Sequence, residues 1–319
     1  MHRLARQLVV RVPRARPSPL GVCVGVVVLG IAVAPPAATG SFPGENGPLT
    51  FDVRRSTAGG MEEFCATPNC EDTRIYRLAS GSRKPSQVVT CRARECHDAY
   101  PAWSPTARRL AFQRTVFFGG QAQPSRRTSV VVRRPGKAVQ VVARDAYQPA
   151  WSPEGRQLVF GLRGDLFSAA SDGSARRRLT YRGEAEDPDW SSRGQIAFTR
   201  RYRSRVDVFT VRAGDKARRL TRTGDSAAPS WSPHGRQIAF RRSFRRPGLY
   251  VMNARGEHVR RLLRGQLESA PAWSPDGRQI AFVRGRSIFK IRRDGSRLRR
   301  VFTLRIAAGI EHLTWTARR

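Results

Sequence analysis

Four of the five cysteines lie within residues 65–96, where they could form disulfides or bind a metal ion. Cys65 and Cys70 form one C-x4-C pair, and Cys91 and Cys96 form a second. An even number of cysteines in one stretch favours two disulfides, which persist in an oxidising compartment. Zinc is the alternative, since His97 adjoins Cys96, but this spacing is looser than that of most zinc knuckles. We expect disulfides, with their connectivity left open.

Two pairs of adjacent histidine and carboxylate residues are the other residues that could bind a metal or catalyse a reaction. His97 precedes Asp98, and His312 follows Glu311. If the fold brought the two pairs together, they could hold a metal ion or act as acid and base. No G-x-S-x-G nucleophile elbow occurs in the sequence. Histidines without a supporting motif are usually surface residues, so we expect a non-catalytic protein and keep a metal-dependent enzyme as the alternative.

Tryptophan marks a sequence repeat. The six tryptophans, Trp103, Trp151, Trp190, Trp231, Trp273 and Trp315, are separated by 48, 39, 41, 42 and 42 residues. The first five belong to the phrase P-x-W-S-P-x-G-x-x-I-A-F, which is complete at residues 229–240 and 271–282 and ends in Leu-Val-Phe at residues 149–160. The phrase encodes two strands and their turn, and two further strand patterns follow it in each repeat. Four strands in about 40 to 45 residues indicate one blade of a β-propeller.

The two ends of the chain each lack half of a repeat. Trp315 is not followed by the Ser-Pro-x-Gly turn, and the triplet Leu49-Thr50-Phe51 has no tryptophan phrase before it. Pairing of the C-terminal strand with the N-terminal strand would complete one blade and remove an exposed sheet edge. We therefore predict an all-β, six-bladed β-propeller over residues 43–319, with four-stranded antiparallel blades closed by the terminal strands.

These phrases resemble the WD-repeat-like blades of the TolB-type propellers, which also occur in prolyl-oligopeptidase-like peptidases. The resemblance covers nearly all of the chain after residue 43 and is specific for the fold. TolB carries an α/β domain before its propeller and bridges other envelope proteins, and no counterpart of that domain is evident in this sequence. The peptidases place a Ser-His-Asp domain beside the propeller, and no residues remain here for one. The resemblance implies an exported binding or scaffold propeller.

The first forty residues have the pattern of an export signal. Five arginines precede an apolar run from Leu20 to Ala34, which ends at Pro35-Pro36 and a group of small residues. Fifteen helical residues reach about 22 Å, which is less than the membrane's hydrocarbon core of about 30 Å. We therefore expect a signal peptide at residues 1–40 that is cleaved, with Cys23 removed alongside it. This predicts an extracellular, periplasmic or cell-envelope location.

The chain is strongly basic, with 59 lysines and arginines against 24 acids and a net charge of +35. Such a charge favours anionic partners and says little about the fold. Part of it lies in repeated Arg-Arg pairs on the fourth strand of the blades: Arg177, Arg178, Arg218, Arg219, Arg260 and Arg261. These pairs could form a basic rim for an anionic envelope polymer. Nucleic acid is a less suitable partner, because the rim lacks an aromatic platform and export separates the protein from it.

Acidic residues recur three to six positions before each tryptophan, where loops between blades lead into the inner strands. The candidate ring at the channel mouth consists of Asp98, Asp145, Glu186, Asp187, Asp225, Glu268 and Glu311. It could hold a basic peptide or a cation such as Ca2+, or the carboxylates could simply cap loop amides. Phe117 and Phe118 nearby are either a contact patch or strand-end packing. We expect a monomeric propeller that needs no cofactor and binds an envelope protein or peptide at this mouth.

Overall fold

The computed structural model describes residues 42–56, 71–89, 91, 96–118, 125–305 and 308–318. Over these residues the chain forms six four-stranded antiparallel sheets. The predicted six-bladed propeller is therefore confirmed. The expected signal peptide, as well as Cys65 and Cys70, lies outside the described residues. No helix in the described part of the chain is long and apolar enough to cross a membrane.

The strands follow the repeat, with one sheet for each blade. Blade 1 contains β1 (Asn46–Ser56), β2 (Glu71–Leu78), β3 (Ser86–Gln87) and β24 (Ala308–Ala317), and blade 2 contains β4 (Cys96–Trp103), β5 (Leu110–Phe118), β6 (Ser125–Arg133) and β7 (Gln140–Arg144). Blade 3 contains β8 (Ala146–Trp151), β9 (Gln157–Leu162), β10 (Asp165–Ala170) and β11 (Arg177–Arg178), and blade 4 contains β12 (Ala185–Trp190), β13 (Ile196–Tyr202), β14 (Arg205–Val211) and β15 (Arg218–Arg219). Blade 5 contains β16 (Ser226–Trp231), β17 (Gln237–Arg242), β18 (Gly248–Asn253) and β19 (Arg260–Arg264), and blade 6 contains β20 (Ala272–Trp273), β21 (Gln279–Arg284), β22 (Ser287–Arg292) and β23 (Arg299–Thr303).

The first and last strands meet in blade 1, as the incomplete repeats predict. Strand β24 pairs antiparallel with β1, so that Trp315 lies opposite Leu49 and Leu313 lies opposite Phe51. Trp231 lies opposite Ile238 in the same way within blade 5. Strand β24 therefore takes the inner position in blade 1, as β16 does in blade 5. The ring closes without an unpaired inner strand.

The core lies between the blades and is built from the repeated apolar positions. The phenylalanine of every triplet is fully buried: Phe51, Phe112, Phe160, Phe198, Phe240 and Phe282. Burying one such side chain contributes about 1.5–3 kcal/mol. The indole of Trp151 donates to the Ala102 carbonyl of the preceding blade at 3.0 Å, and that of Trp273 donates to the Ser230 carbonyl at 3.1 Å. The repeat phrase thus supplies both the apolar contact and a hydrogen bond between successive blades.

The second arginine of an Arg-Arg pair holds the fourth strand on its own blade. Arg178 lies 2.5 Å from a carboxylate oxygen of Asp165, while the Thr180 hydroxyl donates to the other oxygen at 2.7 Å. Blade 4 repeats this arrangement with Arg219, Asp207 and Thr221. The second arginine therefore serves the packing of the blade.

The first arginine of a pair connects neighbouring blades. Arg218 of blade 4 donates to the Arg255 carbonyl in the hairpin of blade 5 at 2.8 Å. Arg260 of blade 5 donates to the Asp294 carbonyl in the hairpin of blade 6, also at 2.8 Å. Both arginines remain exposed. Four of the six arginines that the sequence suggests as a polymer-binding rim, Arg178, Arg218, Arg219 and Arg260, therefore carry structural hydrogen bonds.

Asp189 is a buried carboxyl group between blades 4 and 5. One oxygen accepts the Trp231 amide at 2.5 Å, and the other has no hydrogen-bond partner within the described part of the chain. Burial raises the pKa of Asp189 from 3.8 to about 8, although amide hydrogen bonds from Trp231 and Trp190 oppose the rise. A carboxyl group that is protonated in the fold but ionised when unfolded costs stability as the pH rises between these values.

We predict that Asp189→Asn removes part of this pH dependence. The free energy of unfolding of the unmodified protein should fall between pH 5 and pH 8. The free energy of unfolding of the variant should decrease by about 1–3 kcal/mol less over the same range, because each pKa unit corresponds to about 1.4 kcal/mol. Urea unfolding at both pH values measures the difference. The exposed Asp215→Asn is the control and should follow the unmodified protein. Equal pH slopes for all three proteins would contradict the prediction.

Candidate functional site at the channel mouth

The propeller has two faces that are built from different connections. We call mouth face the side formed by loops between second and third strands, such as 243–247, and by the links between blades, such as 179–184. We call turn face the opposite side, formed by the Ser-Pro-x-Gly turns, such as 152–156, and by the outer hairpins, such as 171–176. All seven predicted carboxylates lie in blade links or at the starts of inner strands, and therefore toward the mouth face.

A β-bulge bends the inner strands at a constant position. The pairing register shifts between Ala99 and Ala102 in blade 2, and equivalent shifts occur in blades 3, 4 and 5. The residue three positions before the tryptophan then has a positive φ of 52–56° in these four blades: Tyr100, Gln148, Asp187 and Ala228. Non-glycine residues rarely adopt this conformation, and bulges of this kind redirect side chains.

Side chains from the bulge positions contact one another across blades. Gln148 donates to Asp187 Oδ1 at 3.1 Å, and its own carbonyl oxygen accepts the Asp187 amide at 2.9 Å. Thr199 donates to the second oxygen of Asp187 at 2.9 Å. These three residues link blades 3 and 4, and both the side-chain nitrogen and the side-chain oxygen of Gln148 form hydrogen bonds.

His312 and Tyr100 make a second set of contacts between blades. Their rings stack with centroids 3.6 Å apart, although His312 belongs to blade 1 and Tyr100 to blade 2. Asp52 on β1 accepts three hydrogen bonds, from the His312 amide at 2.7 Å, from His312 Nδ1 at 2.6 Å and from the Tyr100 amide at 3.0 Å. We call Asp52, Tyr100, Gln148, Asp187 and His312 the channel cluster.

Burial and neighbouring charges both shift the pKa values of the channel cluster. It raises the pKa of Asp187 from 3.8 to about 7, with a further rise from Glu186 and opposing effects of Thr199, Arg241 and His312. Burial also raises the pKa of Tyr100, as does the charge of Asp187. For His312, burial lowers the pKa, but the charge and hydrogen bond of Asp52 raise it together with the charges of Glu311 and Asp187, so that the net shift is upward. The cluster thus contains a carboxyl group that titrates near neutral pH.

Four of the seven predicted carboxylates are paired with arginines from the second strand of their own blade. Asp98 forms a bidentate pair with Arg114, both contacts being 2.7 Å long. The other three pairs are Glu311 with Arg54 at 3.0 Å, Glu186 with Arg201 at 3.5 Å and Asp225 with Arg242 at 3.9 Å. These pairs reduce the negative charge that the mouth presents to a ligand.

The remaining carboxylates differ in exposure. Asp187 is fully buried in the channel cluster, whereas Asp145 and Glu268 are exposed. The sequence therefore locates one region of the molecule but does not separate buried from accessible carboxylates. It also misses Tyr100, Gln148 and the arginine partners. The usable signals are the residue three positions before each tryptophan and an arginine two or three positions after each triplet phenylalanine.

The two histidine–carboxylate pairs have different surroundings. The His97 ring packs against Phe117 with centroids 4.7 Å apart, whereas the His312 ring contacts Tyr100 and Asp52. Phe117 is half-buried in this contact, while Phe118 beside it is exposed. Within the described ranges, no three His, Cys, Asp or Glu side chains are grouped so as to hold a metal ion. Cys91 and Cys96 lie at disulfide-bonding distance, with Cα atoms 6.4 Å apart.

Solved structures with the same architecture include two TolB proteins. The chain is similar to TolB from Acinetobacter baumannii, with 18% identity, a TM-score of 0.66 and coverage of 87% of this chain and 68% of that one. It is also similar to a putative TolB from Agrobacterium tumefaciens, with 22% identity, a TM-score of 0.54 and coverage of 73% and 95%. The fold is therefore that of a six-bladed propeller of the TolB type, as the resemblance of the repeats implies.

Other structures with this fold have different roles. A nidogen/laminin complex contains a chain with 14% identity and a TM-score of 0.62, and the match covers 84% of this chain and 98% of that one. A puromycin-hydrolyzing peptidase of Mycobacterium tuberculosis has 15% identity and a TM-score of 0.53, and the match covers 78% of this chain but only 44% of the peptidase. No protein-family model and no curated protein matches the sequence. At these identities the likeness establishes the fold alone.

We predict that Asp52→Ala destabilises the protein by about 3–5 kcal/mol, because it leaves buried donors of His312 and Tyr100 without their acceptor. Urea unfolding at pH 6 measures the loss. Since the pKa of His312 is raised above 6.5, the ionic part of this contribution is present below pH 6.5 and is lost as the pH rises through the pKa of the folded protein. The exposed Asp172→Ala is the control. A loss no larger than that of the control would refute the role of Asp52.

Proposed function

We propose that the protein is an exported, non-catalytic binding propeller that binds a protein or peptide of the cell envelope through its mouth face. The fold supports a binding or scaffold role, since propellers present loops from all blades on one face. The basic and apolar N-terminal residues support export. The distribution of exposed aromatic side chains carries the choice of face.

Exposed aromatic side chains concentrate on the mouth face. Among the described residues, the exposed large aromatics are Phe118, Tyr181 and Phe244, with 47%, 70% and 73% of their surface accessible. Phe118 ends a second strand, Tyr181 lies in the link between blades 3 and 4, and Phe244 lies in the loop between β17 and β18. All three positions belong to the mouth face. Exposed aromatic residues on one surface are typical of an interface, where they supply much of the binding energy.

Arginines accompany these aromatic residues. The Arg178 guanidinium lies 4.9 Å from the centre of the Tyr181 ring, and that of Arg127 lies 5.5 Å from the centre of the Phe118 ring. Arg245 and Arg246 follow Phe244 directly and are exposed. Arginine and aromatic residues are enriched together at the centres of protein interfaces. The mouth face therefore combines the residue types of a protein-binding surface.

The candidate carboxylate ring contributes orientation in this proposal. Asp145 and Glu268 are the accessible members, and the paired carboxylates Glu186 and Glu311 are half-buried. Charges at the edge of an interface influence the association rate and the choice of partner more than the final affinity. The partner would thus place apolar groups on the aromatic residues and basic groups near Asp145 and Glu268.

We predict that the double variant Tyr181→Ala/Phe244→Ala lowers recovery of specific partners from the protein's own envelope fraction by at least about tenfold, since each interface aromatic can contribute 2 kcal/mol or more. Pull-down with quantitative mass spectrometry measures recovery, and circular dichroism checks the fold. Leu298→Ala, which removes an exposed apolar side chain on the outer hairpin of blade 6, is the matched control. Unchanged recovery with the double variant would exclude this face.

The anionic-polymer alternative predicts a different result. Binding to the Arg-Arg strands would weaken steeply with salt and would survive the loss of Tyr181 and Phe244. Arg260→Gln would then reduce polymer binding but would also remove the contact with blade 6, so its unfolding free energy has to be measured in parallel. Salt-sensitive binding that needs Arg260 but not the mouth aromatics would favour the polymer over the protein partner.

A further inference from the structure

A cavity of about 510 Å3 opens on the turn face between blades 1 and 2. Trp103 forms part of its wall, together with the backbone at Gly47 and residues from the outer hairpins of both blades. The cavity lies at the opposite side of the propeller from the mouth face. Its volume falls within the range of about 300–1,000 Å3 that is typical of small-molecule sites.

The cavity follows from the way the ring is closed. In blades 3, 5 and 6 the Ser-Pro-x-Gly turn packs on the turn of the preceding blade; a Cβ at Gly155, for example, would lie 3.2 Å from Pro105. In blade 1 the first and second strands are β24 and β1, which are not consecutive in the sequence, so no such turn joins them. Residues 44 and 45 bond to Pro275 and Arg318, which belong to blade 6 and to the end of β24.

Trp103 is consequently the partly exposed tryptophan of the repeat. The other five are buried, with 0–9% of their surface accessible. The Trp103 indole donates to the Thr50 hydroxyl at 2.9 Å, which fixes the orientation of the ring. A rigid aromatic surface that is turned toward a cavity can cover the apolar face of a ring-shaped ligand.

Polar groups at the cavity wall favour an anion. Arg77 and Arg318 line the cavity and are both exposed, and none of the described residues that line it is acidic. Thr316 also lines it and is buried, with only 6% of its surface accessible. Its hydroxyl oxygen is itself buried and does not face the cavity.

We propose that this cavity binds an acidic sugar, with the pyranose ring against Trp103 and the acid group at Arg77. The cavity has about the volume needed for one or two sugar rings, and the apolar C–H face of a pyranose matches an aromatic surface. An arginine guanidinium forms charge-assisted hydrogen bonds with a carboxylate. This binding does not require the mouth face or its partner.

Titration of the purified protein with glucuronate tests the proposal, with calorimetry and tryptophan fluorescence as readouts. We expect saturable binding, a fluorescence change that is lost in Trp103→Phe, and weaker binding of neutral glucose. Arg77→Gln should weaken glucuronate binding by about tenfold or more, because it removes a charged hydrogen-bond donor. Arg83→Gln is the matched control, since Arg83 is exposed on the same hairpin but does not line the cavity.

Several outcomes would overturn the proposal. The first is absence of saturable glucuronate binding to the folded protein, and the second is an equal loss with Arg77→Gln and Arg83→Gln. Binding of benzoate without binding of glucuronate would show that the cavity accepts aromatic acids and not sugars. Ala79→Leu, which fills part of the cavity, should also abolish binding. This variant tests the proposal independently of Trp103. The Tyr181→Ala/Phe244→Ala variant should bind glucuronate normally, which separates this site from the proposed partner surface.

Discussion

The pairing of β24 with β1 is the constraint on which the rest of the structure depends. It brings together residues from opposite ends of the chain and leaves the inner position of blade 1 filled. Asp52 and His312 meet through this closure, although they are 260 positions apart in the sequence. The same closure leaves Trp103 without the covering turn that its equivalents have. Both the channel cluster and the turn-face cavity therefore arise from one topological feature.

Arginine in this protein acts largely within the fold. The carboxylates Asp98 and Glu311 are each paired with an arginine on the adjacent strand, and Arg260 holds a neighbouring hairpin. Each of these contacts recurs in other blades because the blades share a sequence pattern. A net charge of +35 thus does not by itself describe a binding surface. What distinguishes the mouth face is the addition of exposed aromatic side chains to its arginines.

The repeat explains why some of the site could be predicted and some could not. The region of the mouth follows from counting back from each tryptophan, and Asp98, Asp187 and Glu311 do lie there. Their burial does not follow, since it depends on which strand the neighbouring arginine or threonine occupies. The position three residues before tryptophan is tyrosine, glutamine, aspartate, alanine, alanine and histidine in blades 2 to 6 and 1. Function in a repeat protein is expected where equivalent positions differ, because the shared positions serve packing.

The sequence by itself determined the number of blades, their four strands and the closure by terminal strands, because apolar periodicity and turn residues act locally and recur. The tertiary structure decided which polar side chains meet. Asp52 contacts Tyr100 because blades 1 and 2 meet, and it contacts His312 because β24 pairs with β1. Trp103 lines a cavity where no turn joins β24 to β1. Such contacts depend on distances between blades, which no local pattern encodes.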